Sequence, residues 1–288
     1  MAAEAEDGVR LDGVLIGPGH QTQRPVLVWI HGFGANFSFP PYLRIARALA
    51  ARGMASAVAN TRGHDLATLL QPRAGAPYWG GAAWEQLDES PRDLAGWVAW
   101  AIEYGFSGAV LLGHSLGAVK ATYYLADRQD ARVLGLVLAA PPLRPIWDTR
   151  AHPAALVEAE RLVRTGHPEA LLEGPWGPVS AQTYLALDRV GFDQFGRATP
   201  EPRLARVRCP VLAVIGAEDT QVCTAADLDV LRRHATAAPR IETHVIDGAD
   251  HVFTDHVAEV ADLLATWVAT LRAASAPRSA RAATRRAR

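Results

Sequence analysis

The chain has 288 residues, 49% hydrophobic and 20% charged, with 29 Lys+Arg against 30 Asp+Glu and a formal net charge of −1. This is ordinary globular composition, which excludes disorder over most of the length and leaves enough chain to bury a large core without staples. The near-zero charge excludes a polyanion-binding role for the molecule as a whole, and two cysteines, Cys209 and Cys223, exclude a disulfide framework.

The N-terminal MAAEAEDGVR is acidic and has no apolar h-region, so no signal peptide is expected. No run of about 18 apolar residues occurs, so no transmembrane helix is expected and the protein reads as soluble and cytoplasmic. Val9–Ile16 alternates and suits an antiparallel edge strand. Of the runs Val26–Ile30, Ala55–Asn60, Ala109–Leu112, Val133–Ala139, Val211–Ile215 and Ile241–Ile246, most are continuous rather than alternating. That pattern suits strands of a parallel sheet covered on both faces. Between them lie helical stretches. Tyr42–Arg52 has Leu43, Ala46 and Ala50 on one face and ends at Gly53, Pro91–Tyr104 follows Ser90, and Leu116–Asp127, Ala225–His234 and Asp255–Ala274 complete the set. Alternating strands and helices predict an α/β fold with a mostly parallel central sheet.

One stretch breaks the alternation. Residues 143–205 hold helical pieces (Pro153–Thr165, Val179–Asp188) between Gly and Pro clusters, without a buried strand pattern. The expected division is a core of residues 1–142 and 206–274, a mobile helical cap at 143–205, and a basic tail at 275–288. The tail carries Arg278, Arg281, Arg285, Arg286 and Arg288 and no acid, and is expected to be disordered and dispensable for catalysis.

Gly113-His114-Ser115-Leu116-Gly117 is G-x-S-x-G, placed between the apolar run Ala109–Leu112 and a helix, the strand–turn–helix setting of a nucleophile elbow. A serine hydroxyl is a weak nucleophile at neutral pH. It needs a base, and the base needs an orienting acid. His251 stands in a loop between the last strand and the last helix. Asp219 follows the strand Val211–Ile215, with Glu218 the near alternative, and functional groups collect at the carboxyl ends of such strands. Asp250 neighbours His251 in sequence and is the poorer partner.

The chain order Ser115, Asp219, His251 resembles that of the α/β-hydrolase superfamily. The resemblance extends from about Val9 to Ala274. His31-Gly32-Phe33-Gly34 resembles the oxyanion-hole loop, Asn60-Thr-Arg62-Gly63-His64 the Arg-Gly-His turn, Pro210 to Gly216 with Asp219 the acid strand, and Asp247 to His251 the histidine loop. The string from Asn60 through Glu85 to Gly-His-Ser-Leu-Gly-Ala-Val-Lys is also similar to a branch of serine hydrolases, some acting on natural-product esters such as siderophores. The resemblance implies that Ser115 is the nucleophile, His251 the base and Asp219 its orienting acid. It implies an oxyanion hole from the backbone N–H groups of Phe33 and Leu116, and scaffold roles for His31, His114, Arg62 and His64. No cofactor and no metal are implied.

Aromatic residues cluster in the expected cap (Trp147, Trp176, Tyr184, Phe192, Phe195) and before the long helix (Tyr78, Trp79, Trp84). Trp79, Trp147, Trp176 and Tyr184 are the candidate substrate contacts, which points to an apolar or aromatic small-molecule substrate. The expected activity is hydrolysis of a carboxylic ester or lactone through an acyl-enzyme. Amidase, thioesterase, acyltransferase, cyclase or C–C hydrolase chemistry on the same triad is the alternative, and a non-enzymatic binder is the third class. No nucleic-acid partner and no membrane span are expected.

Overall fold

Trp29 and its neighbours show why the sheet forms. In Val26–Ile30 every residue is buried, with Val26, Val28 and Ile30 turned to one apolar cluster and Leu27 and Trp29 to another. A strand buried on both faces must have helices above and below it. The computed structural model describes residues 1–19, 24–144, 148–174, 176–220 and 222–271.

In chain order the elements are β1 (Ala2–Glu4), β2 (Arg10–Ile16), β3 (Val26–Ile30), α1 (Pro40–Ala50), β4 (Ser56–Ala59), β5 (Thr68–Leu70), β6 (Tyr78–Gly80), α2 (Ser90–Glu103), β7 (Ala109–His114), α3 (Leu116–Arg128), β8 (Val133–Ala139), α4 (Pro153–Arg164), β9 (Leu171–Gly174), β10 (Gly177–Ser180), α5 (Ala181–Val190), β11 (Val211–Gly216), α6 (Leu228–His234), β12 (Ile241–Ile246) and α7 (Val257–Ala269). Eight strands form one sheet, in the order β1-β2-β4-β3-β7-β8-β11-β12. From β4 to β12 all neighbours are parallel, while β2 runs antiparallel to β4 and β1 antiparallel to β2. The α/β class with a mostly parallel sheet is thus the observed architecture.

The two apolar clusters lie on opposite faces. One packs β-strand residues against Leu94, Trp97, Val119 and Leu125 of α2 and α3, the other against Tyr42, Leu49, Val260, Leu264 and Trp267 of α1 and α7. The chain moves from β3 to β4 on one side and to β7 on the other. The strand order therefore reverses at β3/β7, where a crevice opens at the carboxyl ends.

Several expectations shift in detail. Helix α1 buries Tyr42, Ile45, Ala46 and Leu49, an i, i+3, i+4, i+7 stripe, rather than the face marked by Leu43 and Ala50. The stretch expected as one helix from Val179 starts only at Ala181. The Ser180 hydroxyl accepts the Thr183 N–H as a cap, and Val179 and Ser180 belong instead to the hairpin β9–β10. The short strands β1, β5, β6, β9 and β10 carry three or four residues each, too few for a periodic signal. Cys223 is buried, and burial pushes its thiol up.

Two buried charge clusters brace the loops after β3 and β4. Arg62 is 1% exposed. Its side chain and N–H bond Asp93, itself fully buried, and its guanidinium also meets Glu89 and Asp7. Lys120 on α3, the chain's single lysine, is fully buried, with Nζ 2.7 Å from Glu85 Oε1 and donating to Thr61 Oγ1 at 3.0 Å. Removing one partner of such a cluster strands the other charge in the interior. Asp93→Ala is therefore expected to lower the unfolding free energy by about 3–5 kcal/mol, read from urea denaturation. A loss under about 1 kcal/mol would mean that Arg62 finds water when Asp93 is gone.

Candidate active site

Five strand ends converge on one cavity of about 510 Å³. Gly32 and Phe33 follow β3, His114 and Ser115 end β7, Pro142 follows β8, Glu218 and Asp219 follow β11, and His251 follows β12.

Ser115 occupies the turn between β7 and α3 with φ +54° and ψ −121°, a conformation that L-residues rarely adopt. The turn is held by the Ser115 N–H donating to the Ala139 carbonyl at 2.9 Å and by the Ala118 N–H donating to Ser115 O at 2.9 Å. Glycine is required on both sides. A Cβ at Gly113 would strike the Gly117 carbonyl, and a Cβ at Gly117 would strike the Ile30 carbonyl oxygen. The Ser115 side chain makes no capping bond to α3. Leu116 is the first residue of α3, so its N–H has no acceptor within the helix and lies at the positive end of the helix dipole.

His251 Nδ1 lies 2.6 Å from Asp219 Oδ2. Asp219 is 5% exposed and also accepts the Val222 N–H at 3.4 Å and the Cys223 thiol at 3.9 Å. Glu218 lines the cavity but is exposed, so of the neighbouring pair it is Asp219 that meets the imidazole. Asp250 is taken up in shaping its own loop, accepting from the N–H groups of Val252 and Thr254 and from the Thr254 hydroxyl.

The loop after β3 is aimed by His31. Its Nδ1 donates to the Gly32 carbonyl at 2.8 Å, while Nε2 accepts the Thr61 N–H at 3.1 Å. The Gly32 carbonyl and the Phe33 N–H share one planar peptide unit, so fixing the first directs the second the opposite way. His114, just before Ser115, is buried between Tyr42 and the His251 main chain.

The predicted residues divide accordingly. Ser115, Asp219, His251, Phe33, Leu116 and Trp176 line the same cavity. Trp79 does not: it is 53% exposed on β6, beside Trp84. Tyr184 is fully buried in a small cluster with Ala159, Val179 and Ala181 and packs α4 against α5 instead. Trp147 lies outside the described residues, as does the tail from 275. Phe39, Tyr42, Val222 and Val252 line the cavity without having been singled out from sequence. Their positions in loops or on a helix face carry no motif that would have marked them. The Phe33 ring lies tilted at 5.8 Å from Trp176, which sits 4.6 Å from Phe192, so one wall is aromatic.

Two expected outcomes follow from this geometry. Asp219→Asn removes the carboxylate charge and lets an amide N–H face His251 Nδ1, favouring the wrong imidazole tautomer, and should cost roughly 10³–10⁴ in turnover, whereas Glu218→Gln should stay within about tenfold of wild type. Steady-state kinetics on one ester checks both, and a greater loss from Glu218→Gln would reverse the pairing. The second concerns acid. Burial, and then the charge of His251, pushes His114 down from 6.5 to about 3, and burial likewise holds His31 well below its ordinary value. Between these limits the unfolded chain takes up protons that the fold refuses. Stability is thus full above about pH 6.5 and is lost as pH falls toward 3. Replacing His114 by Gln should flatten the stability–pH curve in that window, measured by urea denaturation at stepped pH; an unchanged slope would mean that His114 protonates within the fold.

A model of the alpha/beta hydrolase family matches residues 27–263. The chain is 31% identical over 173 residues to human (lyso)-N-acylphosphatidylethanolamine lipase, covering 57% of this chain and 46% of the human protein. The bovine counterpart is 37% identical over 92 residues, 30% of this chain and 27% of that protein. The matches thus span less than half the length of these relatives. Among solved structures, Est1E from Butyrivibrio proteoclasticus with ferulic acid bound superposes with a TM-score of 0.65 at 18% identity, over 93% of this chain and 98% of that one. An esterase from Exiguobacterium antarcticum gives 0.62 at 18% identity, over 94% and 99%. At these identities the structural likeness is one of fold.

Proposed function

The chain belongs to the alpha/beta hydrolase family, and from that premise we propose that it is a serine hydrolase cleaving a carboxylic ester or lactone through an acyl-enzyme. The observation that carries the proposal is the 2.6 Å contact between His251 and the buried Asp219 carboxylate, in a cavity that also holds a strained, uncapped Ser115.

In this reading Ser115 Oγ attacks the acyl carbon while His251 Nε2 takes its proton. Asp219 keeps the opposite nitrogen protonated and supports the imidazolium. The carbonyl oxygen becomes an oxyanion, facing the N–H groups of Phe33 and Leu116. Each such donor is typically worth about 3 kcal/mol of barrier. Collapse breaks the acyl–oxygen bond and His251 returns the proton to the departing alcohol. Water then repeats the sequence, with His251 as base, and releases the acid and free Ser115.

The substrate side of the cavity is apolar. Phe33, Phe39, Val252 and Trp176 line it, and no arginine or lysine is among its described lining residues. That lining favours a neutral ester with an apolar or aromatic acyl group over a phosphorylated or CoA-bound one. Trp176 comes from the tip of the β9–β10 hairpin, so the segment 143–205 acts as a cap that closes the acyl pocket.

A fluorophosphonate probe should label the wild-type protein at Ser115, and Ser115→Ala should lose both the label and roughly 10⁴-fold or more of its turnover on p-nitrophenyl esters. Labelling retained in the Ala variant would overturn the assignment. In an ester panel, aryl and medium-chain acyl esters should exceed acetate in kcat/KM.

A further inference from the structure

Tyr42 is buried on α1, and its ring meets the His114 ring at 5.3 Å. Its hydroxyl stands in a hydrogen-bond chain that crosses the floor of the cavity. The Gly32 N–H reaches Tyr42 Oη at 3.1 Å, Tyr42 Oη lies 2.9 Å from His114 Nδ1, and His114 Nε2 lies 2.8 Å from the His251 carbonyl oxygen.

The ends of this chain fix its direction. A backbone N–H can only donate, and a carbonyl can only accept. His114 must therefore carry its proton on Nε2, leaving Nδ1 as acceptor, and the Tyr42 hydroxyl must donate to it while accepting from Gly32. No other proton arrangement satisfies every member. With its imidazole pushed down to about 3, His114 remains neutral and the direction holds across the working pH range.

Each terminus belongs to a different part of the catalytic apparatus. Gly32 precedes Phe33, His114 precedes Ser115, and the last acceptor is the main chain of His251 itself. These segments come from β3, β7 and β12, which are not all neighbours in the sheet. Backbone ladders alone do not tie the oxyanion loop to the histidine loop. Resting on the serine-hydrolase reading above, we propose that Tyr42 is a positioning residue: through His114 it holds the Phe33 oxyanion donor and the His251 loop in register with the nucleophile. A relay of this kind contributes mainly where charge develops on the acyl oxygen, because that is where a small misplacement of a donor is felt.

The test uses the full-length protein and a p-nitrophenyl ester. Tyr42→Phe keeps the ring and removes the hydroxyl. It should lower kcat by about 10- to 100-fold with KM within about threefold, and slow fluorophosphonate labelling in parallel. His114→Gln keeps an acceptor and a donor on one planar group, while His114→Leu keeps neither. The Gln variant should retain at least about tenfold more kcat than Leu, and adding Tyr42→Phe to His114→Leu should cost little more. Wild-type kcat in a folded Tyr42→Phe would overturn the proposal. If that variant does not fold, equal kcat for His114→Gln and His114→Leu overturns it instead. Ser115→Ala separates the two levels: activity surviving that change defeats the serine-hydrolase reading itself, whereas its loss beside an unaffected Tyr42→Phe defeats only the role given to Tyr42.

Discussion

The first turn of α3 lies directly on the backbone of β3, with Gly117 against the carbonyl oxygens of Ile30 and His31. Every other feature of the site is conditioned by that contact. It draws the N-terminus of a helix up to the end of a neighbouring strand, so the Leu116 N–H and the loop after β3 come to share one small space. It also leaves a single residue to turn the chain from strand into helix. Ser115 makes that turn alone, at a conformational cost of about 1–3 kcal/mol, and the parallel ladder on both sides of β7 supplies the rigidity that keeps it there.

The peptide units around Gly32 show how such a site is stiffened from below. The Gly32 carbonyl is held by His31 and its N–H by Tyr42, so both polar groups of a residue without a side chain are committed to buried partners. Behind His31 stand Thr61 and the Lys120–Glu85 pair, and beside them Arg62 and its three carboxylates. Buried ion pairs of this sort contribute little net stability, because desolvation offsets the attraction. Their effect here is geometric: they pin the turns after β3 and β4 where apolar packing, which has no direction, could not.

The sheet and the meeting of Ser115, Asp219 and His251 in one cavity were legible in the amino-acid sequence for related reasons. Strands buried on both faces must be continuous apolar runs, and Val26–Ile30 and Val133–Ala139 begin and end where those runs do. The turn at Ser115 needs glycine at fixed offsets, which leaves a pattern. What escaped was structure without a period or a fixed spacing. Tyr42 reads as one more apolar residue of an amphipathic helix, and its hydroxyl acquires meaning only when β3 and β7 are brought beside it. The β9–β10 hairpin is too short to alternate convincingly. Aromatic content alone misplaced Trp79 and Tyr184, because a ring serves equally to pack two helices, to stand on a surface or to line a cavity.

The seclusion of Lys120 bears on how this molecule meets reagents. With the ammonium group fully buried against Glu85, the folded chain offers no lysine amine to solvent. Amine-directed crosslinkers, acylating tags and resin chemistries that decorate most proteins at random would find no lysine to react with while the chain is folded. Modification at Lys120 would then record the moments when the interior opens, so a routine conjugation chemistry becomes a clock for unfolding.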